Sequence, residues 1–98
     1  MKLINNPVLV DHSGEPFAGP KGPLTLRGAL ALACSSVMQG DDSLDLVRKF
    51  EIGKTGSMLQ RGEEVTSDQL LMAKERAGKY FSPGLMFSIY SVIEAQQE

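Results

Sequence analysis

The stretch Pro23-Leu24-Thr25-Leu26-Arg27-Gly28-Ala29-Leu30-Ala31-Leu32-Ala33-Cys34 constrains the fold more than any other part of the chain. Thr25 is a good N-cap, and the helix it opens is apolar on nearly every side. A helix of that kind is stable in water only when the rest of the protein covers most of its circumference. It is expected to run to about Met38 and to stop before Gly40. The single Cys34 lies inside it and reads as a small core residue, with no partner for an internal disulfide. A reducing cytoplasm fits that usage.

Three further helices follow from punctuation and spacing. Asp41, Asp42 or Ser43 is expected to cap the second, with acidic groups suited to its N-terminal dipole. Leu46, Val47, Phe50 and Met58 share one broad face of it, with Lys54 among them, while Leu44, Ile52 and Leu59 point elsewhere. Gly53 and Gly56 each cost about 1 kcal/mol relative to Ala in a helix interior, which predicts a bend or break there. Arg61-Gly62 ends the element. Thr66-Ser67-Asp68-Gln69 is a capping-box pattern, with Thr66 at N-cap and Gln69 at N3. The third helix then puts Leu70, Ala73, Ala77, Tyr80 and Phe81 on one stripe, and Lys74, Glu75, Arg76 and Lys79 on a solvated face. Ser82-Pro83 starts the fourth, with serine as cap and proline at N1. Leu85, Ile89, Val92 and Ile93 face inward there, with Met86 at the edge.

Residues 1–24 are different, holding four of the five prolines. Leu3-Ile4 and Val8-Leu9-Val10 favour extended backbone, the cluster at 11–16 is turn-rich, and Gly19-Pro20-Lys21-Gly22-Pro23 reads as an extended loop. A hairpin alone is marginal, so it must lie on the helices or remain an arm. The expected fold is mainly α, α+β at most. It is a small four-helix domain over 25–98 with an N-terminal β-hairpin or extended arm over 1–24, in a single globular unit.

Composition removes several classes. A 98-residue chain with 42% hydrophobic and 22% charged residues is an ordinary single globular domain. No apolar run nears the roughly 18 residues that span a bilayer, so no membrane role is expected. Lys2 has no apolar h-region behind it, so no signal peptide is expected. Net charge is −2 without a basic stripe, which disfavours nucleic acid as a partner. A helix-turn-helix regulator built from the first two helices through Gln39-Gly40-Asp41-Asp42 is a further alternative. Against it, Asp41, Asp42 and Asp45 would face phosphates at the start of the reading helix.

No motif assembles a catalytic, cofactor or metal site. Gly53-Lys54-Thr55 looks like the end of a phosphate-binding loop, but Arg48 stands where that motif needs its first glycine. His12 lies in a turn between Asp11 and Ser13, and three adjacent residues are not a triad, whose base must sit between its partners in space. Glu63-Glu64 and Asp68 read as a solvated connection that favours the next helix's positive end. With one thiol and one histidine, zinc-like spacing is missing. An enzyme is not expected, and neither is a cofactor.

The feature with most functional content is a second apolar surface. Phe87, and in part Tyr90, leave the inward stripe of the last helix, and Leu71 and Met72 leave that of the third. Either the core is wrapped from both sides, which a four-helix context slightly favours, or these four residues form a contact patch for a partner. Aromatic and methionine side chains are common at interface centres.

From Pro23 onward the order of signals resembles small accessory proteins of tailed bacteriophages and prophages. The elements that carry the resemblance are Leu24-Thr25-Leu26-Arg27 opening an apolar helix and Arg48-Lys49-Phe50 in a middle helix. After these come a capped helix around Thr66 and Gln69, Lys79-Tyr80-Phe81-Ser82-Pro83, and a closing helix ending near Ile93-Glu94. The polar turn at 11–16 fits as well, whereas Gly53 and Gly56 depart from the pattern. The resemblance implies a non-enzymatic phage protein that binds another protein, of host or phage, as a modulator or inhibitor. An assembly chaperone or oligomeric accessory of the tail or head module is the alternative. No catalytic residue belongs to the pattern.

Overall fold

A computed structural model describes residues 5–40 and 44–96. The chain forms β1 (Ala18–Gly19), β2 (Gly22–Pro23), α1 (Leu26–Gly40), α2 (Leu46–Gln60), α3 (Ser67–Tyr80) and α4 (Pro83–Ala95). It is mainly α with a small antiparallel hairpin, as the sequence predicts. α1 is the axis, packed against both α2 and α3. Leu26, Ala29, Leu30, Ala31, Ala33 and Cys34 are all buried, and among the described side chains of α1 from 26 to 34 only Leu32 is an exposed large apolar one. The apolar circumference is thus mostly covered over 26–34, and the helix runs on through Gly40.

The N-terminal segment docks on the start of α1, where helix geometry leaves the first backbone N–H groups without partners. Leu26 N donates to the Pro7 carbonyl at 2.9 Å, Arg27 N to Asn6 Oδ1 at 2.8 Å and Gly28 N to the Thr25 cap oxygen at 3.2 Å. Leu9 is fully buried in the same core as Leu24. The hairpin does not fall on Val8-Leu9-Val10, which makes only isolated bridges, Val8 with Thr25 and Val10 with Pro16. It falls on the segment expected to be a loop, where Ala18 pairs with Pro23 and Gly19 with Gly22. Gly22 makes the tight connection possible, because its φ of +129° is open only to glycine in practice.

α2 departs most from expectation. The proposed caps at 41–43 lie outside the described residues, and the observed N-cap is Asp45, whose Oδ1 accepts from Arg48 N at 2.8 Å. The helix is continuous through 53–56, with no break. Its buried face is Ile52, Thr55, Gly56 and Leu59, an i, i+3, i+4, i+7 stripe. A Cβ on Gly56 would lie 2.9 Å from Cys34 Cβ, so this glycine brings α2 against α1. Its cost in helix propensity is offset by that packing. Of the residues that share the broad face read from the sequence, Met58 packs half-buried against the core, whereas Leu46 is 82%, Val47 70% and Phe50 73% exposed.

α3 keeps its punctuation, since Thr66 and Gln69 form the reciprocal capping box. Leu70, Ala73 and Ala77 are buried, but Tyr80 is exposed and Phe81 only half-buried. Arg76, expected on the solvated face, is buried instead. α4 carries its Ser82 cap and Pro83, with Leu85, Met86, Ile89 and Ile93 in the core and Val92 packed at its margin.

Burial has a measurable consequence at Cys34. Removal from water pushes its thiol up to about 11, against a smaller opposite pull from the Arg76 cation. A thiol-directed reagent at pH 8 is expected to leave the native protein unmodified and to label it fully in denaturant. The sign on stability follows from the unfolded chain ionising first. The Cys34 contribution to stability is level below the ordinary thiol value of 9.0 and falls as pH rises toward about 11. The slope is at most about 1.4 kcal/mol per pH unit. Native-state labelling at pH 8 at the unfolded rate would show that Cys34 is not core.

Candidate partner-binding groove

The structure places the four residues singled out from the sequence against different neighbours. Met72 is half-buried and lines a cleft with Leu44, Arg48 and Arg76 between α2 and α3. Tyr90 lies against α3, with the Lys74 ammonium 5.8 Å from its ring centroid and its hydroxyl 4.0 Å from where a Cβ on Gly78 would sit. Leu71 is about half-exposed, seven positions before Gly78 and so on the same side of α3. Phe87, one turn before Tyr90 on α4, is 75% exposed and lines a groove between α4 and the N-terminal loop. A core wrapped from both sides is therefore not what Phe87 and Leu71 serve.

The groove encloses about 590 Å³ and is mostly apolar. Val10 and Phe17 wall it on the loop side, Phe87 and Val92 on the helix side, and Asp11 and His12 stand at the loop wall. Each wall has a local cause. Pro83 at N1 starts α4, and Leu85 and Ile89 anchor its inner face, which leaves Phe87 outward by helical geometry. Opposite it, Leu9 is pinned in the core by its N–H to Leu24 O at 2.8 Å, and strand alternation sends Val8 and Val10 outward.

The chain matches no protein-family model, no curated protein and no solved structure.

Asp11 organises the loop wall. One carboxylate oxygen accepts from Ser13 Oγ at 2.6 Å, Ser13 N at 2.8 Å and Glu15 N at 3.0 Å. The Ser13 hydroxyl bond, then those backbone N–H groups, hold its carboxyl below the usual range, so a fixed negative charge stands beside an apolar groove. The Ser13 hydroxyl is directed at Asp11, so this turn does not present it to His12 as a nucleophile. The Gly53-Lys54-Thr55 run is helix interior, where Thr55 Oγ1 donates to Glu51 O at 2.9 Å, and no phosphate cradle exists there. Among the described residues no cluster of three or more His, Cys, Asp and Glu side chains could hold a metal ion, and no helix is long and apolar enough to cross a membrane.

Sequence reasoning found Phe87 but missed Val10 and Phe17 on the facing wall, and Leu46, Val47 and Phe50 on α2. The α2 face had a readable signal. Gly56 lies on the Ile52, Thr55, Leu59 stripe, and a glycine on an apolar stripe marks the side on which a neighbouring helix approaches.

Proposed function

We propose that this chain is a non-enzymatic phage or prophage protein acting in the cytoplasm by binding another protein, as a modulator or inhibitor of it. The observation that carries the reading is Phe87, an aromatic side chain three-quarters exposed at the rim of a concave apolar groove. Exposed apolar surface rimmed by polar groups is the usual form of a protein contact site, and aromatic anchors dominate such contacts. The phage origin rests on the order of signals from Pro23 onward. A protein partner is favoured over DNA by the outward face of α2, where Leu46, Val47 and Phe50 would meet phosphates. The oligomeric assembly accessory is the second reading, supported by that same face.

Burial of one large apolar side chain contributes about 1.5–3 kcal/mol before ordering costs, so Phe87→Asp is expected to weaken binding at least tenfold. The check is retention of a bacterial protein on the immobilised chain, paired with thermal melts of both forms. Loss of retention with an unchanged melt supports the reading. Unfolding of the variant would make Phe87 a core residue, and undiminished retention would place the contact elsewhere.

A further inference from the structure

The surface of this chain carries two large apolar features that none of the described residues covers, one convex with a cation at its end and one concave with a carboxylate at its wall. One is convex. Leu46, Val47 and Phe50 project from α2, and Lys54, also exposed, continues the same side one turn further on. Val47, Phe50 and Lys54 stand at i, i+3 and i+7, the spacing with which a helix lays anchors into a groove. The other is concave: the groove of about 590 Å³ walled by Val10, Phe17, Phe87 and Val92, with the Asp11 carboxylate beside it. The two share no residue, and Phe50 and Phe87 are each about three-quarters exposed in the single chain.

We propose that the groove of one copy receives the outward face of α2 from a second copy, so that the chain associates with itself head to tail. This rests on the reading of the Phe87 groove as a docking surface and names its occupant. Phe50 and Val47 fill the apolar walls, and Lys54, about 6 Å along the helix from Phe50, meets the Asp11 carboxylate. Asp11 has its negative charge fixed by the Ser13 and Glu15 bonds, so the acidic wall is present throughout the neutral range. The symmetric alternative, two α2 faces packed antiparallel about Phe50, would set each Lys54 against the apolar Leu46 and Val47 of the other copy, give Asp11 no cation and leave the groove empty. Charge therefore selects the unlike pairing. A contact between unlike surfaces does not close on itself in a dimer, so copies add into a ring or an open chain. That behaviour suits an assembly accessory.

The test is light scattering behind size exclusion on the full chain across a wide concentration range. Wild type is expected to rise with concentration from 10.6 kDa to multiples of it. Phe50→Asp removes the projecting face and leaves the groove, while Phe87→Asp does the reverse, and each alone is expected to stay at 10.6 kDa. An equimolar mixture of the two retains one intact face and one intact groove, so it is expected to give twice that mass and no more. Val47→Asp with Ser91→Arg, both at exposed positions, repeats the design should either phenylalanine variant fail to fold. Wild type that stays at the single-chain mass at the highest concentration overturns the proposal, as does a mixture that remains monomeric while wild type associates. A monomeric wild type that still retains a foreign protein through Phe87 leaves the binding reading standing and removes only this one. Self-association untouched by Phe87→Asp takes the groove out of the contact between copies and overturns the proposal, while the retention test of Phe87 stands apart from it.

Discussion

Replacing Arg27 with alanine is expected to destabilise the fold by about 3 kcal/mol, a large share of the 5–15 kcal/mol typical of a domain. Arg27 is 95% hidden from solvent on the first turn of α1, yet it is not an unpaired charge. Its Nη1 donates to the Leu59 carbonyl and its Nη2 to the Glu63 carbonyl, each at 3.1 Å. Those carbonyls belong to the last turn of α2 and the loop that leaves it, where helix geometry strands acceptors and places partial negative charge. One guanidinium thus ties the start of α1 to the end of α2. Hydrogen bonds to charged groups are worth about 1.5–3 kcal/mol each, and truncation removes two, one of them to the buried Leu59, together with the packing of the long Arg27 stem. Against this stands the several-kcal/mol desolvation of the cation, which lowers the Arg27 pKa and limits the net loss. Lysine should not restore the wild-type value, because a point charge lacks the planar fork that reaches two acceptors. Urea unfolding followed by circular dichroism measures the loss, and the midpoint of thermal unfolding should fall by more than 10 °C. A change within about 0.5 kcal/mol of wild type would show the clamp to be incidental.

The pattern of α1 and the caps of α3 and α4 were legible because each rests on local chemistry. Thr66 with Gln69, and Ser82 with Pro83, satisfy helix-end donors within four residues, so no tertiary information is needed. Four-helix architecture followed from them. The orientation of α2 was not legible, because the helix carries apolar residues on two sides and spacing alone does not rank them. Leu46, Val47 and Phe50 outweigh Ile52 and Leu59 in bulk, yet the side with Thr55 and Gly56 wins because it admits the α1 backbone. Arg27 and Arg76 were unreadable for a related reason. Burial of a guanidinium depends on acceptors far along the chain, and for Arg27 these lie at Leu59 and Glu63. In the groove, Phe87 was visible as an outlier from its stripe. Val10 and Phe17 were not, since their wall exists only once the arm has bonded to Leu24 and Thr25.

Two glycine-to-alanine substitutions in the helices should move stability in opposite directions, and the contrast tests how α1 and α2 approach. Gly78 is exposed on α3, and a Cβ there would meet only the Tyr90 hydroxyl at 4.0 Å, an ordinary contact. Gly78→Ala therefore gains the full propensity difference, about 1 kcal/mol, or some 4–8 °C in midpoint. Gly56→Ala gains the same propensity term but inserts its methyl 2.9 Å from Cys34 Cβ and 3.5 Å from the Ala31 carbonyl. Neither neighbour is the far end of a flexible side chain, so relief requires the two helices to separate. Separation loosens contacts along the whole Ile52–Leu59 stripe against α1, and overpacking of this kind costs about 1–3 kcal/mol. The net expectation is a loss of about 1–2 kcal/mol for Gly56→Ala, with valine worse than alanine because its branches extend into the same gap. Cys34→Ala does not relieve the clash, since the Cβ that obstructs is common to both residues. If instead Gly56→Ala stabilised the protein as Gly78→Ala does, α2 would not pack against α1 through this face. The outward placement of Leu46, Val47 and Phe50 would then lose its physical basis.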